Sequence, residues 1–176
     1  MAAPACSIRP CAPGDEAALA LLGQASFLEA FAGTLRGSDI LRHCERMHAP
    51  QVYRDWLRDP AMHLWIAEVT QGAAPVGYCV LAPADLPLPD LGEADAEVKR
   101  VYLLHRFQGL GLGRRLMDTA REQARALGRR RLLLGVYGQN HAAIGFYESL
   151  GYRPVGTRVF RVGESDCQDL ILALAL

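Results

Sequence analysis

The chain has 176 residues, 51% of them hydrophobic, and its 19 Lys and Arg are balanced by 19 Asp and Glu. A chain of this length reads as one domain, residues 1–176, able to bury roughly 70% of its extended-chain surface without help from a disulfide or structural metal. The near-zero net charge lacks the cationic surplus on which general binding to nucleic acid or anionic membrane rests.

Cys6, Cys11, Cys44, Cys79 and Cys167 are odd in number and scattered, with no C-x-x-C pair and no His at zinc-ligand spacing. They read as reduced thiols, and no metal is expected. Met1 to Ala12 has one Arg, interrupting prolines and no continuous apolar run, which fits neither a leader nor a membrane span. A cytoplasmic protein is the expectation.

Cys6 to Arg9 suits a first strand. Pro13-Gly14-Asp15 is a turn whose Asp15 suits the cap of a helix from Glu16 to Phe31. Ser38-Asp39 resembles a second cap, and Pro50 opens a third, short helix that ends at Asp59-Pro60. His63 to Val69 and Val76 to Ala82 are β-rich runs around Gln71-Gly72, a hairpin signal. Ala82 to Gly92, with three prolines and several acids, reads as an exposed loop before a strand from Ala94 to Leu104. Leu112, Leu116, Ala120, Ala124 and Leu127 recur at helical spacing, with Gly128 at the C-terminal cap. Arg131 to Val136 reads as a buried strand and Asn140 to Leu150 as a helix closed by Gly151. Val155 to Val162 and Gln168 to Leu176 complete the pattern as strands. This order implies a mixed sheet with helices on both faces. The apolar last strand suits either a homodimer contact or a buried edge of the sheet.

The strongest local signal is Gln108-Gly109-Leu110-Gly111-Leu112-Gly113, set between a strand and a helix. Helix N-termini carry unpaired N–H groups and a positive dipole end, and glycines let a diphosphate approach the backbone. Arg114 and Arg115 are unfavourable there without a nearby anion, unless they are simply solvated. The dinucleotide fingerprint G-x-G-x-x-G fails, because its last place falls on Arg114 or Leu116. A Walker loop fails for want of Gly-Lys-Ser/Thr. What remains is Q-x-x-G-x-G.

Three ordered blocks extend this signal: Glu97 to Leu103 (EVKRVYL), Arg106 to Gly113 (RFQGLGLG) and Asn140 to Tyr152 (NHAAIGFYESLGY). Together they resemble the GNAT superfamily of N-acetyltransferases, from about Trp65 to the C-terminus. Phe31-Ala32-Gly33-Thr34, Phe160-Arg161-Val162-Gly163 and Asp169-Leu170-Ile171 are most similar to bacterial PaiA-type polyamine acetyltransferases. The resemblance implies an α/β (mixed α+β) GNAT fold, whose mostly antiparallel sheet splays between its fourth and fifth strands. It also implies acetyl-CoA as co-substrate. Val101 and Leu103, in the cofactor strand with Tyr102, would hold the pantetheine arm through their backbone. The amides of Gln108, Gly109, Leu110, Gly111, Leu112, Gly113 and Arg114 would take the pyrophosphate. Asn140 would contact the pantetheine side, and Tyr147 would stand near the sulfur.

The chemistry asks for such groups. An aliphatic ammonium with a pKa near 10 must lose a proton before its nitrogen attacks, and the departing thiolate must gain one. On a helix from Asn140, Ala143 and Tyr147 share a face, which makes Tyr147 the candidate general acid; alone, it would read as a core tyrosine beside an Asn cap. Glu97 is the candidate base or amine anchor. Glu93 and Asp95 either bind a cationic substrate or form a solvated edge, and the latter is favoured. His43, His48, His63 and His105 read as surface residues. The expected reaction is acetylation of a small primary amine, with a polyamine indicated by the finer resemblance. Acetylation of a protein N-terminus, a lysine or an amino-acid-like antibiotic is the alternative, as is a non-catalytic acetyl-CoA-binding module.

Overall fold

The computed structural model describes residues 4–176. The first three residues of the N-terminal segment read for a leader lie outside the described residues. Strand β1 (Cys6–Pro10) precedes three helices, α1 (Glu16–Phe31), α2 (Gly37–Met47) and α3 (Pro50–Arg58). Strands β2 (His63–Val69), β3 (Pro75–Pro83) and β4 (Asp95–Leu103) follow. Next come α4 (Leu112–Ala126), β5 (Arg131–Tyr137), α5 (His141–Ser149), β6 (Arg153–Val162) and β7 (Ser165–Ala175).

The seven strands form one sheet in the order β1-β2-β3-β4-β5-β7-β6. Only β4 and β5 run parallel, and their pairing covers just Asp95↔Arg131, Ala96↔Leu132 and Glu97↔Leu133. Beyond Glu97 and Leu133 the two strands part, which is the splay implied by the family resemblance. The last strand is not an edge. β7 lies between β5 and β6, with Ile171 and Leu172 fully buried, so its apolar character is accounted for inside the sheet.

Helices cover both faces. Leu112, Leu116, Met117, Ala120 and Ala124 of α4 pack with Tyr147 of α5 on Ala67, Cys79, Val98, Leu132 and Leu172. On the other face, Leu19, Ala20 and Leu22 of α1 and Tyr53 of α3 pack on Ile66, Tyr78 and Val80. Truncating a buried leucine such as Leu116 to alanine removes roughly 2–5 kcal/mol.

Two caps differ from expectation. The Asp15 carboxylate makes no bond to α1; it accepts from the Ala12 amide at 2.8 Å and pairs with Arg9 at 2.8 Å, because the guanidinium competes better than a helix amide. Ser38 and Asp39 lie inside α2, where Asp39 is buried and accepts from the Ser165 hydroxyl. Asn140, by contrast, caps α5, its Oδ1 accepting from the Ala143 amide at 3.1 Å.

A β-bulge in β4 decides what faces where. Val80 pairs with Arg100 but Leu81 pairs with Val98, so Lys99 is the extra residue. The alternation shifts there. Ala96, Val98, Val101 and Leu103 pack toward α4, whereas Arg100 and Tyr102 turn to the face covered by α1–α3.

Candidate active site

The Gly-rich loop ends in Gly111, which has φ +76° and serves as the N-cap of α4. Gly109 has φ +75°, and added Cβ atoms at either glycine would meet open space. The left-handed backbone, not crowding, is what requires glycine there. The first bond into α4 is from the Arg115 amide to the Gly111 carbonyl. Among the described residues, the amides of residues 109–114 have no protein acceptor. Six consecutive free donors at a helix N-terminus are a cradle for a diphosphate. The Gln108 amide is already occupied by the His105 carbonyl, and its Nε2 donates to the Leu103 carbonyl at 3.1 Å. Gln108 therefore ties the loop to β4 instead of extending the cradle. Leu112 anchors α4 in the core, leaving only its N–H for a ligand, and Leu110 is exposed. Arg114 is exposed, while Arg115 reaches the Cys6 carbonyl.

The open edge of β4 borders this loop. Leu104 donates to the Val76 carbonyl of β3, so by alternation the N–H groups of Leu103 and Val101 point toward the splay. Tyr102 turns away: its backbone faces β3, and its ring lies 5.8 Å from that of Tyr78, its cross-strand partner. The Tyr102 side chain thus lies on the face opposite those of Val101 and Leu103.

Tyr147 is buried, its ring 5.9 Å from Tyr152, yet its hydroxyl donates to no protein group among the described residues. Burial pushes its pKa well above the ordinary value, with Tyr102 and Cys79 adding to the effect. Such a phenol stays protonated at neutral pH. Ala143 is half-buried one turn earlier on the same face, and Asn140 is exposed.

Glu97 is buried on the α1–α3 face. Its Oε2 accepts from the Asp85 amide at 3.0 Å and lies 3.8 Å from Lys99 Nζ, while Oε1 has no partner among the described residues. Asp95 is not a solvated edge. It is buried and accepts from Nε and Nη2 of Arg131, which lowers its pKa below the usual carboxylate range. Glu93 is exposed, and its carbonyl accepts from Arg129.

One residue read as a surface group lies in the centre of this face. His48 is 2% exposed. Its Nδ1 lies 2.8 Å from the Tyr53 hydroxyl, which is 2.9 Å from the Tyr78 hydroxyl. Arg100 donates to Tyr53 at 2.8 Å and to the Met47 carbonyl at 2.7 Å, its guanidinium 4.6 Å from the Trp56 ring centre. Burial first, then Arg100 and His43, push the His48 pKa down to about 3. His43 is half-buried and stacked on Phe27, and is lowered to about 4 for the same leading reason. The sequence signal for this network was Tyr78 opposite Tyr102 on adjacent strands, which only the register reveals. Of two shallow depressions, one of about 520 Å³ is lined by Glu93, Asp95 and Arg129 and one of about 480 Å³ by Arg115, Asp118 and Glu122.

Residues 29–152 match the acetyltransferase (GNAT) family model. The chain belongs to this family. It is an acetyl-CoA-dependent N-acetyltransferase, with acetyl-CoA as co-substrate. An uncharacterized N-acetyltransferase of Mycobacterium bovis is 30% identical over 124 residues, covering 70% of this chain and 74% of the relative. One from Lactobacillus delbrueckii subsp. lactis is 34% identical over 100 residues, covering 57% of this chain and 58% of the relative. In fold, the chain is similar to the crystal structure of the PaiA N-acetyltransferase from Thermoplasma acidophilum in complex with coenzyme A. The TM-score is 0.75 at 18% identity, covering 98% of this chain and 99% of that one. No helix of the described residues is long and apolar enough to cross a membrane.

Proposed function

We propose that this N-acetyltransferase acetylates a primary amine of a small molecule at the gap between β4 and β5. The observation that carries the reading is the gap itself, with the free β4 edge, the unbonded loop amides and Tyr147 on one side and a half-buried polar wall on the other. On this reading the amides of residues 109–114 hold the pyrophosphate, Val101 and Leu103 hold the pantetheine arm, and Asn140 and Ala143 flank it. The free Oε1 of Glu97 takes the ammonium proton, directly or through water, so that the nitrogen lone pair can form the C–N bond. The Val101 N–H donates to the developing oxyanion. Tyr147 gives its proton to the sulfur as the C–S bond breaks, and burial keeps that proton in place beforehand.

The one continuous sheet supports reading 1–176 as a single domain, and the five free thiols suit a cytoplasmic setting. The polyamine reading is supported by the sequence resemblance and by the PaiA structural likeness. A second reading, an amine that carries an anion, is favoured by charge: Asp95 and Asp90 are taken by Arg131, while Arg100 has no carboxylate partner among the described residues. The test is acetyl-CoA titration by calorimetry, combined with thiol release across amino acids, peptides, spermidine and spermine. Micromolar binding with amine-dependent release is expected. Neither binding nor release with any amine refutes the enzyme reading, and tight binding without release favours a non-catalytic module.

A further inference from the structure

This inference rests on the acetyl-transfer reading and concerns what the acceptor must carry besides its amine. Arg158 projects from β6 across β7 on the α1–α3 face. A Cβ added to Gly135 of β5 would sit 2.5 Å from Arg158 Nη2, so the guanidinium lies directly over the β5 backbone. Gly135 is two residues past Leu133, where the pairing of β5 with β4 ends. The guanidinium therefore stands at the mouth of the splay, and glycine is what leaves it room.

Its orientation is fixed from two sides. Nε donates to Asp169 Oδ2 at 3.1 Å, and the guanidinium carbon lies 5.1 Å from the Phe160 ring centre. Asp169 is 5% exposed, whereas the Arg158 side chain is 24% exposed. Nη1 and Nη2 have no acceptor among the described residues and are not sealed from solvent. One edge of the fork is thus held by a buried carboxylate while the other, with four N–H donors, is presented to the gap. The charges of Arg158 and Asp169 also act on the Tyr102 phenol, which puts the pair within electrostatic reach of β4.

The surroundings favour an anion. Asp169 neutralises Arg158 only from behind. Glu97 is bonded to the Asp85 amide and approached by Lys99, and Asp95 is taken by Arg131. Arg100 adds a cation bonded only to neutral groups, and His48 beside it is uncharged at neutral pH. Among these carboxylates only Glu97 Oε1 is left open, a single oxygen and not the cluster that would suit a polycation.

We propose that the acceptor is a small primary amine bearing a carboxylate, and that the Nη1–Nη2 edge of Arg158 holds that carboxylate in a two-pronged contact beside the splay. A charge-assisted contact of this type should be worth about 10–150-fold in kcat/KM. The test measures thiol release with matched pairs, amino acids against their carboxamides, alongside spermidine and spermine, for the wild type, Arg158→Gln and Arg158→Lys. The wild type should favour the carboxylate member at least tenfold. Arg158→Gln should abolish the preference, mainly by raising KM for the acid, with a smaller rise for the amide. Arg158→Lys, which keeps the charge but loses the fork, should retain part of it. If Arg158→Gln does not fold because Asp169 is left unpaired, the Arg158→Gln/Asp169→Asn pair, which removes both charges, replaces it. Release with polyamines or amides but not with acids overturns this inference and leaves the acetyltransferase reading standing, as does a preference unchanged by either substitution. No release with any amine overturns both.

Discussion

The burial of His48 makes a quantitative prediction about acid stability. In the unfolded chain its imidazole titrates near the ordinary 6.5, whereas in the fold it is held down to about 3 by desolvation and by Arg100 and His43. A depressed histidine stabilises fully above its unfolded pKa, and that contribution is lost as pH falls from about 6.5 toward 3. At pH 5 the unfolded imidazole gains RT ln(1 + 10^1.5), about 2 kcal/mol, that the folded one cannot share. His43, lowered to about 4, adds a comparable loss, and Asp169, whose pKa burial raises, contributes with opposite sign. Substituting His48→Gln isolates the first effect, because the other groups remain in both proteins. The carboxamide can still accept from Tyr53 or Arg100, so the variant should fold with a moderate loss at pH 7.5. Thermal unfolding followed by circular dichroism between pH 7.5 and 5 should show wild-type Tm falling about 4–8 °C further than that of the variant. Equal pH slopes would refute the reasoning, meaning that the imidazole is protonated in place or that water reaches it.

Other substitutions test the remaining parts. Tyr147→Phe should lower kcat by about 10²–10⁴ with acetyl-CoA affinity unchanged in calorimetry; unchanged kcat removes Tyr147 from proton transfer. Gly111→Val places a branched side chain at φ +76° in open space, so backbone strain alone should cost about 1–2 kcal/mol in urea unfolding. It should also weaken acetyl-CoA binding by tilting the free amides. Arg131→Ala leaves Asp95 buried without its cation and should cost about 2–3 kcal/mol, less than a fully buried pair because Arg131 is partly solvated. The Asp95 contribution, from a depressed carboxylate, is present above about pH 4 and lost below it, so the difference between Arg131→Ala and wild type should shrink in acid.

Much of the candidate site was legible because its rules are local. The Gly109 and Gly111 backbone, the Asn140 cap and the apolar stripe of α4 depend on neighbours within a few residues. Charge and histidine readings failed where partners are distant in sequence. Asp95 and Arg131 are 36 positions apart, and nothing near Asp95 announces a guanidinium. His48 is buried because Gly23, 25 residues earlier, leaves no side chain in its way: a Cβ there would overlap the imidazole and the Tyr53 hydroxyl.

The sequence by itself determined the element order, the phosphate-suited loop and the three blocks that name the family, since period, turn chemistry and capping act along the chain. Only the tertiary structure decided which side of the gap each polar group faces. A single bulge at Lys99 shifts the alternation of β4, sending Arg100 and Tyr102 to one face while Val101 and Leu103 keep to the other. An extra residue is defined by its partner strand, so its consequence for the acceptor exists only once β3 and β4 have paired.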